Sequence, residues 1–287
     1  MLSDRGWSTD DYRRCRSGVV TVTERHDMRA AVAERAATAG AALAFEQFRT
    51  GIAAETKSSV TDLVTEADRA AQRRVIEVIE SNFEDEPVVG EEEDAAKTVP
   101  DEGAAWIVDP IDGTNNFVDG IRVWGTAVAA VIDGEPVGSA VVLPALDDSY
   151  TADGSAAYRN GSEISVSETS EAALSTVAPM LWWDTDNRGA YAAATREIVE
   201  RFDDLRRFGS AQATLALVAD GAIEGGITDL RAHPWDSVAG VHMVRQAGGR
   251  VTDIYGERWQ HDSTGMVISN GNVHDAVQAA TDGIVGR

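Results

Sequence analysis

Four acidic groups in this chain stand where a carboxylate can do more than carry charge. They are Asp62-Leu-Val-Thr65-Glu-Ala-Asp68, Gly90-Glu91-Glu92-Glu93, Asp109-Pro110-Ile111-Asp112-Gly113-Thr114 and His233-Pro234-Trp235-Asp236. The third is the sharpest. The apolar run Ala-Ala-Trp106-Ile-Val108 predicts a strand whose end delivers Asp109. Pro110 stiffens the turn and carries no backbone N–H. Asp112 follows, and Gly113-Thr114 predicts the opening of a helix. Two carboxylates at a strand end suit a hard divalent cation. Mg2+ prefers carboxylate oxygens and keeps positions open for water and phosphate oxygens. The amides of Gly113 and Thr114 at a helix N-terminus would suit a phosphate. One short segment could therefore supply metal ligands and an anion cradle together.

Each group also has an ordinary structural explanation. Thr65 to Asp68 fits a helix-capping pattern, Asp236 fits an N-cap before a helix, and Gly-Glu-Glu-Glu fits a solvated acidic loop. Taken singly, those explanations are the better ones. The strand–acid–turn–acid–helix order around Asp109 is harder to dismiss as a turn. The occurrence of all four groups in one order on one chain points to a shared site.

The motifs Trp-Ile-Val-Asp109-Pro-Ile-Asp112-Gly-Thr-Asn-Asn-Phe and Pro-Trp-Asp236-Ser-Val-Ala-Gly, with Ala247-Gly-Gly downstream, resemble the inositol monophosphatase family of magnesium-dependent, lithium-sensitive sugar phosphatases. The resemblance runs from about Met28 to the C-terminus. It implies an α+β fold of layered α-β-α-β-α type, with an antiparallel-sheet N-terminal lobe and an α/β C-terminal lobe. It implies that Glu91, Asp109 and the carbonyl of Ile111 hold one Mg2+, that Asp109, Asp112 and Asp236 hold a second, and that Glu91 helps bind a third. Asp68 and Thr114 would pair to orient and deprotonate the attacking water. The Gly113 and Thr114 amides would bind phosphate, with Asp112 and Asp236 also facing substrate. Gly209, Ser210 and Ala211 would line the substrate pocket, and Asp229 would meet substrate hydroxyls. Arg231 could instead meet a second phosphate. Lys57, one of two lysines in the chain, precedes the Asp62 group, where the family has a lysine near metal and phosphate.

Other chemistries fit less well. The five histidines show no metal-ligand spacing such as H-E-x-x-H, and there is no P-loop, G-x-S-x-G elbow or G-x-G-x-x-G. A haloacid-dehalogenase-type aspartyl nucleophile would need one residue between the two acids, where Pro110 and Ile111 stand here, and a lysine downstream of Asp109. The seven tryptophans read as core or lobe contacts, with Trp106 and Trp235 bracing the acids beside them.

The elements that must position these residues can be read in outline. Residues 1–27 lack clear periodicity and are expected to be a disordered extension. Met28 opens an alanine-rich helix with 3–4 spacing of apolar residues. A second helix is predicted from about Glu66 to Ser81, then strands and a hairpin turning at Asp133-Gly134, then two strand-sized pieces with turns at Asp153-Gly154 and Asn160-Gly161. After about Ser170 strands and helices alternate. The expected units are 28–170, carrying most of the metal motifs, and 171–287.

The totals narrow the function class. The chain has 287 residues, enough to bury a core without disulfides, and a single cysteine, Cys15. No apolar run nears the ~20 residues of a membrane span. Lys+Arg 25 against Asp+Glu 48 leaves a net charge of −23, which repels nucleic acid. Acidic excess with scarce lysine is the composition of a salt-adapted protein, whose self-repulsion is screened at molar salt. The expectation is a cytoplasmic, halophilic, Mg2+-dependent phosphomonoesterase with two or three Mg2+ per site, forming a homodimer, with no nucleic-acid or membrane partner. Its substrate would be a small-molecule phosphate ester, inositol 1-phosphate and/or fructose 1,6-bisphosphate. The alternatives are 3′-phosphoadenosine 5′-phosphate or NADP as substrate, or a non-catalytic regulatory binder on the same fold.

Overall fold

A computed structural model of the chain describes residues 22–49, 55–56, 63–64, 66–92, 95–181 and 185–285. Residues 1–21 with Cys15, and Lys57, Asp62, Thr65 and Glu93, lie outside the described residues. Helix α1 (Val22–Gln47) starts ahead of Met28. No Gly or Pro interrupts the chain between Gly18 and Gly40, so nothing local stops the helix at Met28. The start is also tied down. Arg29 donates to both oxygens of Glu86 at 2.7 and 2.8 Å and lies 4.5 Å from the Phe83 ring centroid.

The short strands β1 (Glu55–Thr56) and β2 (Leu63–Val64) pair antiparallel before α2 (Glu66–Glu80). A Cβ on Gly40 would stand 2.5 Å from Val75 Cγ2, so the α1–α2 crossing is close enough to require glycine. Next come β3 (Val88–Gly90), β4 (Ala104–Asp112) and the five-residue α3 (Thr114–Val118). They are followed by β5 (Gly125–Ile132), β6 (Glu135–Leu143), β7 (Asp148–Ala152), β8 (Ala157–Arg159) and β9 (Ser162–Ile164). Strands β3 to β9 form one seven-stranded sheet in sequence order, antiparallel except for the parallel β3–β4 pair. The Asp133-Gly134 and Asn160-Gly161 turns both carry positive φ at both positions, as two-residue hairpins require. The second of them makes β8–β9 a separate hairpin, so this stretch yields three strands where two were expected.

The remainder is β10 (Thr176–Pro179), α4 (Arg188–Arg201), β11 (Asp204–Leu205), α5 (Ala211–Ala219), β12 (Gly225–Thr228), α6 (Pro234–Gln246), β13 (Arg250–Thr252), β14 (Met266–Ser269), α7 (His274–Ala279) and α8 (Asp282–Val285). Its five-stranded sheet runs β11-β10-β12-β14-β13, parallel over the first three strands and antiparallel around β14.

Side-chain alternation builds the layers. Trp106, Val108, Val128 and Ala130 pack with α1 and α2, while Ala105, Ile107, Ala127 and Ala129 pack with α5 and α6. The five-stranded sheet turns Ala178 and Ile268 toward α5 and α6, and Val177, Ile227 and Val267 toward α4, α7 and α8. The result is the expected α-β-α-β-α order. Helices α5 and α6 form the middle layer, which brings the N-termini of both beside the end of β4.

Candidate active site

The site is built on a fault in β4. Along an undisturbed strand, residues three apart point to opposite faces. In β4, Asp109 pairs with Ala127 but Asp112 pairs with Gly125, so three residues on one strand oppose two on its neighbour. This one-residue bulge re-aims the side chains. Pro110, lacking an N–H, loses no ladder bond there, and its carbonyl accepts the Thr126 hydroxyl at 2.7 Å. Asp109 and Asp112 consequently turn to one side. They meet Asp236, in the first turn of α6, with a carboxylate oxygen from each of the three all within 4.8 Å of one another.

This convergence is electrostatically costly for the protein alone. Asp109 is 1% exposed, and its Oδ1 has no hydrogen-bond partner. Burial first, then the charges of Glu91, Asp112, Asp236 and Asp68, hold its carboxyl well above the ordinary range. Asp112 is also raised by burial, against the hydrogen bonds it accepts from Ser210, Gln212 and Ala211. Asp236 is pushed up to about 7 by burial and by the Asp112 charge, against a backbone hydrogen bond from His233. Converging carboxylates with an unpartnered buried oxygen are an all-oxygen donor set that a hard cation would satisfy.

The expected residues fall around this cluster as follows. Glu91 follows β3 directly and lies outside the 4.8 Å group, yet among the acids its charge acts most strongly on Asp109. Asp68 is 2% exposed in the first turn of α2, and its charge also reaches Asp109. Thr114 donates its hydroxyl to the Ile111 carbonyl at 3.0 Å. That single proton is therefore committed to Ile111 in this structure rather than to Asp68. Gly113 sits at φ +90°, where a Cβ would meet Ser210 Cβ at 3.1 Å and the Gly209 carbonyl at 3.2 Å. The Gly209-Ser210-Ala211 segment is turned onto Asp112. Ala211 N–H donates to Oδ1 at 3.0 Å, while Gln212 N–H, at 2.8 Å, and the Ser210 hydroxyl donate to Oδ2. These donors serve an acid of the cluster, and Gly209, Ser210 and Ala211 also line a small cavity with Arg207 and Thr214. Asp229 follows β12 directly, and its Oδ1 is buried without a hydrogen-bond partner. Arg231 is exposed in the same loop, and its charge acts on His233.

Three supporting residues escape sequence reading. Asn116 donates its amide to the carbonyls of Val123 and Phe208 at 2.6 and 2.7 Å, tying α3 to the chain entering α5. Gln72, one turn after Asp68, accepts the Glu92 N–H at 3.0 Å. Lys97 donates to the carbonyls of Gly90, Glu91 and Glu92. The scarcity of lysine was a usable signal for Lys97, as it was for Lys57. Asn116 lies within the Asp109–Phe117 motif, which marks it without giving its role, and no equivalent signal marks Gln72.

The profile of the inositol monophosphatase family matches residues 26–284. A fructose-1,6-bisphosphatase/inositol-1-monophosphatase of Thermotoga maritima is 36% identical over 236 residues, covering 80% of this chain and 87% of that protein. An inositol-1-monophosphatase of Bacillus subtilis is 32% identical over 225 residues, covering 78% of this chain and 84% of that one. Among solved structures, the IMPase of Thermotoga maritima superimposes with a TM-score of 0.79 at 31% identity, over 92% of this chain and 98% of its own.

Proposed function

This chain belongs to the inositol monophosphatase family, and we propose that it is a Mg2+-dependent phosphomonoesterase acting on inositol 1-phosphate, fructose 1,6-bisphosphate or both. The observation that carries this reading is the meeting of Asp109, Asp112 and Asp236 within 4.8 Å, with one buried oxygen of Asp109 unpartnered. Both substrates stand because the name of the Thermotoga maritima relative joins the two activities.

Asp109, Asp112 and Asp236, with Glu91 and the Ile111 carbonyl, would hold two or three Mg2+. When bound, Mg2+ lowers the pKa of a coordinated water and offsets negative charge on the phosphoryl oxygens. The chain's own groups do the rest. Asp68 takes the proton of the attacking water, directly or through the Thr114 hydroxyl, which must first leave the Ile111 carbonyl. The Gly113 and Thr114 amides bind the phosphate, with Lys57 as a further cation. Asp229 orients substrate hydroxyls, and Arg231 meets a second phosphate where there is one. The buried acids repel an anionic substrate until they are neutralised, so phosphate ester and Mg2+ are expected to bind in a coupled way.

No described helix is long and apolar enough to cross a membrane. We place the protein in a salt-rich cytoplasm, as a homodimer; light scattering at high KCl tests the assembly. The test of function is phosphate release from inositol 1-phosphate, fructose 1,6-bisphosphate, 3′-phosphoadenosine 5′-phosphate and NADP, with and without Mg2+ at high KCl. Release from either of the first two only with Mg2+ is the expected result. Mg2+-independent release, or none from any of the four, would overturn it.

A further inference from the structure

We propose that Lys97 is a positioning residue that holds Glu91 in place for the metal and couples its loop to the Asp236 helix. This rests on the reading of the site as a Mg2+ centre. The Lys97 ammonium donates to the carbonyls of Gly90 and Glu91 at 2.8 Å and of Glu92 at 2.7 Å. An ammonium has three N–H donors and no acceptor, so it can serve three consecutive carbonyls from one point. Carbonyl dipoles converging on one point repel each other unless a cation sits there. The curl of the backbone at Glu91 is thus maintained by the lysine charge.

The rest of the loop is closed from other directions. Gly90 N–H donates to the Ala96 carbonyl at 3.0 Å, and Ala96 N–H to the Val88 carbonyl at 2.9 Å, which places Lys97 back beside β3. Gln72 accepts the Glu92 N–H at 3.0 Å. A Cβ on Gly90 would stand 2.7 Å from that same Gln72 oxygen. The peptide groups on both sides of Glu91 are therefore held, by Lys97 at the Gly90 and Glu91 carbonyls and by Gln72 of α2 at the Glu92 N–H.

The second coupling is to α6. The Lys97 ammonium lies 5.5 Å from the ring centroid of Trp235, within cation–π range. Trp235 immediately precedes Asp236 and is stacked on His233 at 4.7 Å and 4°. One side chain thus touches both the loop that carries Glu91 and the helical turn that carries Asp236. An exposed lysine holding a carboxylate would be an ordinary surface contact. The three backbone carbonyls and the Trp235 ring are contacts of a different kind. Arginine, used for the other 23 basic residues, has a planar fork that cannot converge on three carbonyls from one point.

Groups that orient ligands from behind typically alter metal affinity by about 10–100-fold when removed. The test is Lys97→Met, which keeps the stem and deletes the charge, read by the Mg2+ concentration that half-saturates the rise in Tm and, separately, phosphate release. The expected result is a half-saturating Mg2+ concentration raised by about tenfold or more, with kcat at saturating Mg2+ close to wild type and an unchanged Tm without Mg2+. In Lys97→Ala, methylammonium should restore the Mg2+ midpoint and tetramethylammonium, which has no N–H, should not. An unshifted midpoint in Lys97→Met overturns the proposal. Should that variant fail to fold, Lys97→Arg carries the same readout, and a wild-type midpoint there overturns it equally. Wild-type protein with no Mg2+-dependent rise in Tm would sink the metal reading itself, and this inference with it; a normal wild-type response beside an unshifted variant sinks this inference alone.

Discussion

The hydroxyl of Ser210 donates to the carboxylate of Asp112, joining the N-cap of α5 to the end of β4 across 98 residues of sequence. Ser210 at the same time accepts the Ala213 N–H at 3.1 Å, so one hydroxyl caps the helix and fixes an acid of the cluster. Ser210→Ala should cost about 1–2 kcal/mol. That corresponds to a fall in Tm of about 2–4 °C per kcal/mol in a domain of this size class. Calorimetry of the variant without Mg2+ checks this. An unchanged Tm would mean that the Ala211 and Gln212 amides hold Asp112 without help.

Asp109→Asn should abolish Mg2+-dependent phosphate release and remove the Mg2+-induced rise in Tm. It should also raise the Tm of the metal-free protein, because it deletes a buried charge facing Glu91, Asp112 and Asp236. Near-normal turnover in this variant would show that the cluster is not the catalytic centre.

Asp236 supplies a pH dependence. Its folded-state value of about 7 lies above its ordinary value of 3.8, so the folded protein binds the proton more tightly than the unfolded chain does. The resulting stability is fully present below about pH 4 and is lost as pH rises through about 7. Mg2+ needs the ionised form, so protons compete with it. The Mg2+ concentration for half-maximal rise in Tm should therefore increase as pH falls below about 7. A midpoint independent of pH between 5.5 and 8, values chosen to bracket that transition, would rule out Asp236 as a titrating ligand.

Gly113→Ala places a side chain at φ +90°, 3.1 Å from Ser210 Cβ and 3.2 Å from the Val123 carbonyl. The left-handed conformation alone costs about 1 kcal/mol, and two of the three crowding atoms are backbone carbonyl oxygens that cannot easily give way. A loss of both stability and phosphate release is expected, measured by calorimetry and by initial rates. Full activity would show that the junction of β4 and α3 tolerates a shift.

Asp229 and Arg231 divide the substrates. Asp229→Asn should raise KM for inositol 1-phosphate and leave the Mg2+ midpoint alone, while Arg231→Gln should raise KM for fructose 1,6-bisphosphate. Steady-state kinetics on both substrates checks this, and equal effects on the two would remove both residues from a selective role.

The local order around Asp109 was legible in the primary structure because it is written in adjacent residues: an apolar run, an acid, a proline, a second acid and a glycine. The Asp133-Gly134 hairpin and the α2 boundaries were legible for the same reason, since turn chemistry and helical periodicity are short-range properties. Two things were decided only by tertiary packing. One is the bulge that puts Asp109 and Asp112 on one side, because a register shift is a property of two paired strands and neither strand shows it alone. The other is the placement of Ser210 and Asp236 against that strand, because the middle helical layer is set by which sheet faces are apolar, and contacts made across about a hundred residues leave no periodic trace in the chain.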